Sequence, residues 1–108
     1  MNSRAKGKRG ELELAEDLRK FGYDARRGQQ FAGGADSPDV VCTGLEDFHI
    51  EAKRVEAGNL YGWLEQAVRD AGGKVPVVMH RRSRKGWVAI LRLEDFLALT
   101  LSIGARHD

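Results

Sequence analysis

The segment Asp39-Val40-Val41-Cys42-Thr43-Gly44-Leu45-Glu46-Asp47-Phe48-His49-Ile50-Glu51-Ala52-Lys53 reads as two short strands joined by a turn. Asp39 to Cys42 is apolar after its first residue, and Phe48 to Lys53 alternates with period two, the mark of a strand with two unlike faces. Gly44 sits in the connection from Thr43 to Asp47, so a hairpin is expected. Alternation puts Phe48, Ile50 and Ala52 on one face and His49, Glu51 and Lys53 on the other. The first face suits a core, while the second carries groups able to do chemistry.

Upstream lies a loop, Gly28 to Pro38, with three glycines and a Ser-Pro turn signal, which looks mobile or ligand-facing. Tyr23 to Arg27 before it reads as a strand. Glu11 to Phe21 reads as a helix with apolar positions 14, 15, 18 and 21, stopped by Gly22. Downstream, apolar residues at 60, 63, 64, 67, 68 and 71 give one face of a helix that ends at Gly72-Gly73. Val75 to Met79 and Trp87 to Leu91 follow as strands, with Pro76 near the start of the first, and Glu94 to Leu101 closes as a short helix. The order helix, three strands, helix, two strands, helix implies an α/β sandwich around a mixed sheet. Strand order does not follow from it.

A length of 108 residues argues for one compact domain, 1–108, with flexible ends expected at 1–7 and 102–108. Lys and Arg number 18 against 16 Asp and Glu, a net charge of +2, so charge distribution rather than bulk charge must point to a partner. The basic start of the chain has no apolar stretch behind it, which excludes a signal peptide or membrane span from the expectation. The lone Cys42, within an apolar run, suits a buried small hydrophobe in a reducing cytoplasm rather than a disulfide or zinc ligand.

Glu51 and Lys53 point the same way, a pattern that alone is usual for a solvated strand. Pro38-Asp39, twelve residues before Glu51, brings a second carboxylate to the mouth of the neighbouring strand. Two carboxylates meeting there repel unless a cation lies between them, and oxygen ligands suit Mg²⁺ or Mn²⁺. On its own Asp39 also reads as a turn residue after Pro38. Glu11 shares a stripe with Leu14, Ala15 and Leu18 and so faces the core, although near a helix start it also suits the helix dipole.

Taken together, Ser37-Pro38-Asp39-Val40-Val41 followed by Ile50-Glu51-Ala52-Lys53 resembles the PD-(D/E)xK nuclease superfamily. Lys8-Arg9-Gly10-Glu11-Leu12-Glu13-Leu14 is similar to the glutamate-bearing first helix of archaeal Holliday-junction resolvases and related small phage-type nucleases. The glycine-rich loop is similar too, and Phe48-His49-Ile50-Glu51-Ala52-Lys53-Arg54 and Leu64-Glu65-Gln66-Ala67 resemble the phage-type members, so the likeness spans most of residues 6–97. The resemblance implies an αβββαβ, restriction-endonuclease-like core with a mixed central sheet flanked by helices. It implies a metal site of Glu11, Asp39, Glu51 and the backbone carbonyl of Ala52, with Lys53 toward the attacking water and Gln66 at an accessory position. Mg²⁺ is the implied cofactor, with Mn²⁺ as its substitute. The chain departs from larger members in lacking the segments that make them sequence-specific.

Three basic clusters, Lys6-Lys8-Arg9, Arg26-Arg27 and Arg81-Arg82-Arg84-Lys85, suggest DNA backbone binding on a nearly neutral chain. Trp63 and Trp87 read as core residues, and His49 as a structural histidine that shares the face of Glu51. The expected activity is metal-dependent DNA endonuclease action, directed by DNA structure as in junction resolvases, with little sequence specificity. The alternatives are a nicking or single-strand-directed nuclease of the same fold and a catalytically silent nucleic-acid-binding module. Paired cuts across a four-way junction need two active centres, hence a homodimer. The Trp63 helix, the Phe96-Leu97 helix and the Val75 to Met79 strand are its candidate interfaces.

Overall fold

The structure, a computed structural model, describes residues 3–28 and 38–107, with side chains at 7–28 and 38–103. Its elements are α1 (Ser3–Lys20), β1 (Asp24–Arg27), β2 (Val40–Thr43), β3 (Phe48–Arg54), α2 (Leu60–Asp70), β4 (Val75–Arg81), β5 (Val88–Ile90) and α3 (Leu93–His107). Most of the glycine-rich loop, with Ser37, lies outside the described residues.

The strands form one mixed sheet in the order β1-β2-β3-β4-β5. β2 pairs antiparallel with both β1 and β3, β3 and β4 are parallel, and β5 returns antiparallel on β4. A parallel neighbour cannot be reached by a tight turn, so the chain crosses over between β3 and β4 through α2. Asn59 caps that helix, its side-chain oxygen accepting from the Gly62 N–H at 3.1 Å.

α1 and α2 cover opposite faces of the sheet. α1 buries Leu14 and Ala15 against Ala25, Val40, Cys42, Ile50 and Val77, with Phe48 and Ala52 packed on the same cluster. The opposite face offers Pro76 and Val78, which are buried, as are Ala67 and Ala71 of the α2 region. β3 therefore gives its apolar residues to α1 and His49, Glu51 and Lys53 to the α2 side, as alternation requires.

Several elements run longer than the local pattern indicates. α1 begins at Ser3 and α3 continues to His107, over turns with no repeated apolar stripe to announce them. β4 continues past Met79 because parallel pairing to β3 extends through Lys53↔His80 and Arg54↔Arg81. Val75 to Met79 is mostly covered, with Pro76, Val77 and Val78 buried, so that strand is withdrawn as a candidate interface. By contrast Leu93, Phe96, Leu97, Leu101 and Ile103 of α3 are exposed. No described helix is long and apolar enough to cross a membrane.

Two glycines set the close approaches that matter for the site. A Cβ at Gly10 would stand 2.7 Å from Cβ of Arg54, so this glycine lets α1 lie against the end of β3. A Cβ at Gly28 would collide with the Pro38 carbonyl, where the end of β1 meets the entry to β2.

Candidate active site

Asp39 is pinned to β3 at two points. Its N–H donates to the Ile50 carbonyl at 2.9 Å, and its Oδ2 accepts from the Ala52 N–H at 2.8 Å. The N–H and C=O of one strand residue point to the same edge, so the Ala52 carbonyl also faces the β2 side.

Glu51, between those contacts, is only 7% exposed and hydrogen-bonds through its carboxyl to Asp39. Burial, then the Asp39 charge and that hydrogen bond, then the Asp70 charge push the Glu51 carboxyl up to about 8, against the opposing charge of Lys53. Burial and the Asp39 carboxylate together thus favour the protonated form of Glu51. Lys53 is half-buried on the same face, two residues along.

Glu11 reaches the site from the other layer. It is buried, and its carboxyl is raised first by burial and then by the Asp39 charge, while Arg27 opposes both. Arg27 Nε lies 3.4 Å from Glu11 Oε2, so this arginine is an internal counter-ion. On the far side of Glu51, His49 is 2% exposed and its Nε2 lies 2.9 Å from Glu51 Oε1. One ligand atom each from His49, Glu51 and Asp70 lie within 4.8 Å of one another.

These groups fit a divalent cation. A buried Glu51 that keeps a proton because a second carboxylate faces it is a site where a cation could replace that proton and let both groups ionise. The donors on the Asp39 side are carboxylate and carbonyl oxygens, the ligand set of a hard ion such as Mg²⁺.

A family model described as "Phage putative PDDEXK endonuclease" matches residues 2–105. The chain belongs to this family. The endonuclease is also similar in structure to Archaeoglobus fulgidus Hjc, a Holliday junction resolvase from an archaeal hyperthermophile, with a TM-score of 0.58 and 29% sequence identity. The match covers 80% of this chain and 72% of that one. No curated protein matches it.

The endonuclease fold brings Asp39, Glu51, Ala52 and Lys53 together along one strand edge, with Glu11 behind Asp39. Gln66 is exposed on α2, beside buried Ala67. Of the basic residues, Lys8, Arg9, Arg26, Arg82, Arg84 and Lys85 are exposed, and the Lys6 side chain lies outside the described set.

Arg81 is not a free cation. Its Nη1 lies 2.7 Å from Glu13 Oε1 and 3.6 Å from Asp17 Oδ2, which ties β4 to α1. The turn after it is held by Glu56, which accepts from the Ser83 N–H and hydroxyl. The basic groups nevertheless share one end of the sheet. The turn from Arg82 follows the ends of β3 and β4, Gly10 brings the start of α1 against Arg54, and Arg27 pairs with Val40 next to Asp39.

Trp87 packs on the core as expected, its indole N–H donating to Asp17 Oδ2 at 2.8 Å. Trp63 is half-buried and lies over Gly58 and against the ring of His80, centroids 5.0 Å apart. Local reading gives His49 only a structural role and misses Asp70. Alternation had set His49 on the face of Glu51, and Asp70 falls three residues after Ala67, among the apolar positions of α2, where a carboxylate needs a reason.

Proposed function

We propose that this endonuclease hydrolyses phosphodiester bonds in DNA with Mg²⁺, or Mn²⁺ in its place, held by Asp39, Glu51 and the Ala52 carbonyl, and with Glu11 behind them. The observation that carries this reading is the Asp39–Glu51 carboxyl pair, crowded enough to keep a proton, with Lys53 on the same strand face. When bound there, the ion would supply an activated water and charge neutralisation at the phosphate oxygens. Asp39, fixed by two bonds to β3, sets the position of the ligands; Lys53 orients the water and stabilises the charge that develops. Glu11, whose carboxyl feels the Asp39 charge, would act through water, and Arg27 pairs with it.

The preferred substrate is branched DNA, cut without strong sequence preference by a homodimer. Similarity to a Holliday junction resolvase supports the first point. The exposed Leu93, Phe96, Leu97 and Leu101 on α3 support the second, since a two-fold pair would cover the same patch on both copies. The test is cleavage of duplex, single-stranded, flapped and four-way DNA in parallel, with and without a chelator, beside light scattering. Mg²⁺-dependent cutting that favours the four-way substrate, by a dimer, is the expected result. A monomer on junction DNA that nicks duplex or cuts single strands would favour the alternative nuclease reading, and no cutting of any substrate would leave only binding.

Neutralising Arg82, Arg84 and Lys85 together should weaken DNA binding and flatten its salt dependence. Each lost phosphate contact reduces the slope of log K against log salt by about 0.9. Arg81 is kept out of this variant because removing it would leave Glu13 and Asp17 without a partner on β4. A slope equal to that of the parent would mean that the turn faces away from DNA.

A further inference from the structure

His49 stands apart from the residues assigned so far. It is 2% exposed, near the start of the central strand, where an imidazole is costly to bury unless its nitrogens are satisfied. Its Nε2 meets Glu51 Oε1 at 2.9 Å, and a carboxylate oxygen of Asp70 lies within 4.8 Å of both groups. The contact joins residues two apart on one strand face, so the backbone itself holds imidazole and carboxylate in register. Asp70, at the last turn of α2, approaches the pair from the covering layer.

We propose that His49 is a positioning residue for the metal site: its ring N–H holds one oxygen of Glu51, with Asp70 beside it, so that the other oxygen is presented toward Asp39. This rests on the metal-site reading given above and adds a residue to it. A carboxylate fixed at one oxygen loses rotational freedom before an ion arrives, and removing such an outer partner typically weakens metal affinity by about 10- to 100-fold. The same cluster, one nitrogen and two carboxylate oxygens, has a second use, direct ligation through His49, and substitution separates the two. Glutamine places an amide N–H near the position of Nε2 and can hold Glu51, but it is a poor substitute for an imidazole ligand. Asparagine is too short for that position, and leucine fills the space with no donor.

The experiment is Mn²⁺ titration of the whole chain by calorimetry for the parent, His49→Leu, His49→Gln, His49→Asn and Asp39→Asn, with melting curves for each. The expected result is Mn²⁺ affinity about 10- to 100-fold weaker in His49→Leu and His49→Asn, and within a few-fold of the parent in His49→Gln. Should His49→Leu not fold, the comparison of His49→Gln with His49→Asn carries the same test. Parent-like affinity in His49→Asn, or in a folded His49→Leu, overturns the proposal. So does a His49→Gln protein as weak as His49→Asn, which would make His49 a ligand. Asp39→Asn separates the levels: if it loses Mn²⁺ while the His49 variants keep it, only the positioning role falls, and if it too binds like the parent, the metal-site reading falls and His49 with it.

Discussion

Asp39→Asn and Lys53→Ala should each lower the cleavage rate by roughly 10²- to 10³-fold or more while melting close to the parent. The two changes are chosen because the fold does not depend on the groups they remove. Asparagine keeps an oxygen that can accept from the Ala52 N–H, and the backbone bond from position 39 to Ile50 does not involve the side chain. What it loses is the negative charge that faces Glu51, and with it the metal ligand proposed at this position. Lys53 is half-buried on the Glu51 face, so its loss removes a positive charge from the site without opening the core between α1 and the sheet. The measurement is single-turnover cleavage beside thermal melting. Either variant cutting at the parent rate would remove that residue from the site, and a large fall in melting temperature would mean that the residue supports the fold instead.

Glu51→Gln should move stability and activity in opposite directions. Glutamine resembles protonated Glu51: its oxygen can accept from His49 and its amide can donate to Asp39. In the folded state the Glu51 carboxyl is raised from 4.5 to about 8, so the folded protein binds this proton more tightly than the unfolded chain. Stability from that source is therefore fully present below the unfolded value and is lost as pH rises through the folded one. The uncharged glutamine pays no such penalty. In chelator, parent and variant are expected to melt together at about pH 5, and the variant to be more stable by a few kcal/mol, to order of magnitude, at about pH 9. Mg²⁺ should raise the melting temperature of the parent at high pH by binding its ionised site, and should do little for the variant. Cleavage by the variant should fall to background. A parent as stable at high pH as the variant would mean that Glu51 ionises without strain and that no cation is needed beside it.

Much of the site is visible locally because a strand repeats every two residues. The alternation from Phe48 to Lys53 assigns Glu51 and Lys53 to one face, and the core packing of Phe48, Ile50 and Ala52 agrees. Glu11 was readable for the same kind of reason, as an acid on a helix stripe otherwise made of Leu14, Ala15 and Leu18, and it is buried. The basic clusters were less faithful. A run of Arg and Lys shows where positive charge lies along the chain, but not which of those charges is already paired. Arg27 answers Glu11 at a sequence separation of 16, and Arg81 answers Glu13 at a separation of 68.

The sequence by itself determined the order of the elements, the hairpin of β2 and β3 and the two unlike faces of β3. Those features rest on periodicity and turn residues, which act over a few neighbours. Only the tertiary structure decided that β4 lies parallel beside β3, that Arg27 and Arg81 serve carboxylates on α1, and that His49 and Asp70 flank Glu51. The physical reason is that a buried polar group takes whichever partner the packed layers bring within about 3 Å, and that choice belongs to the fold as a whole.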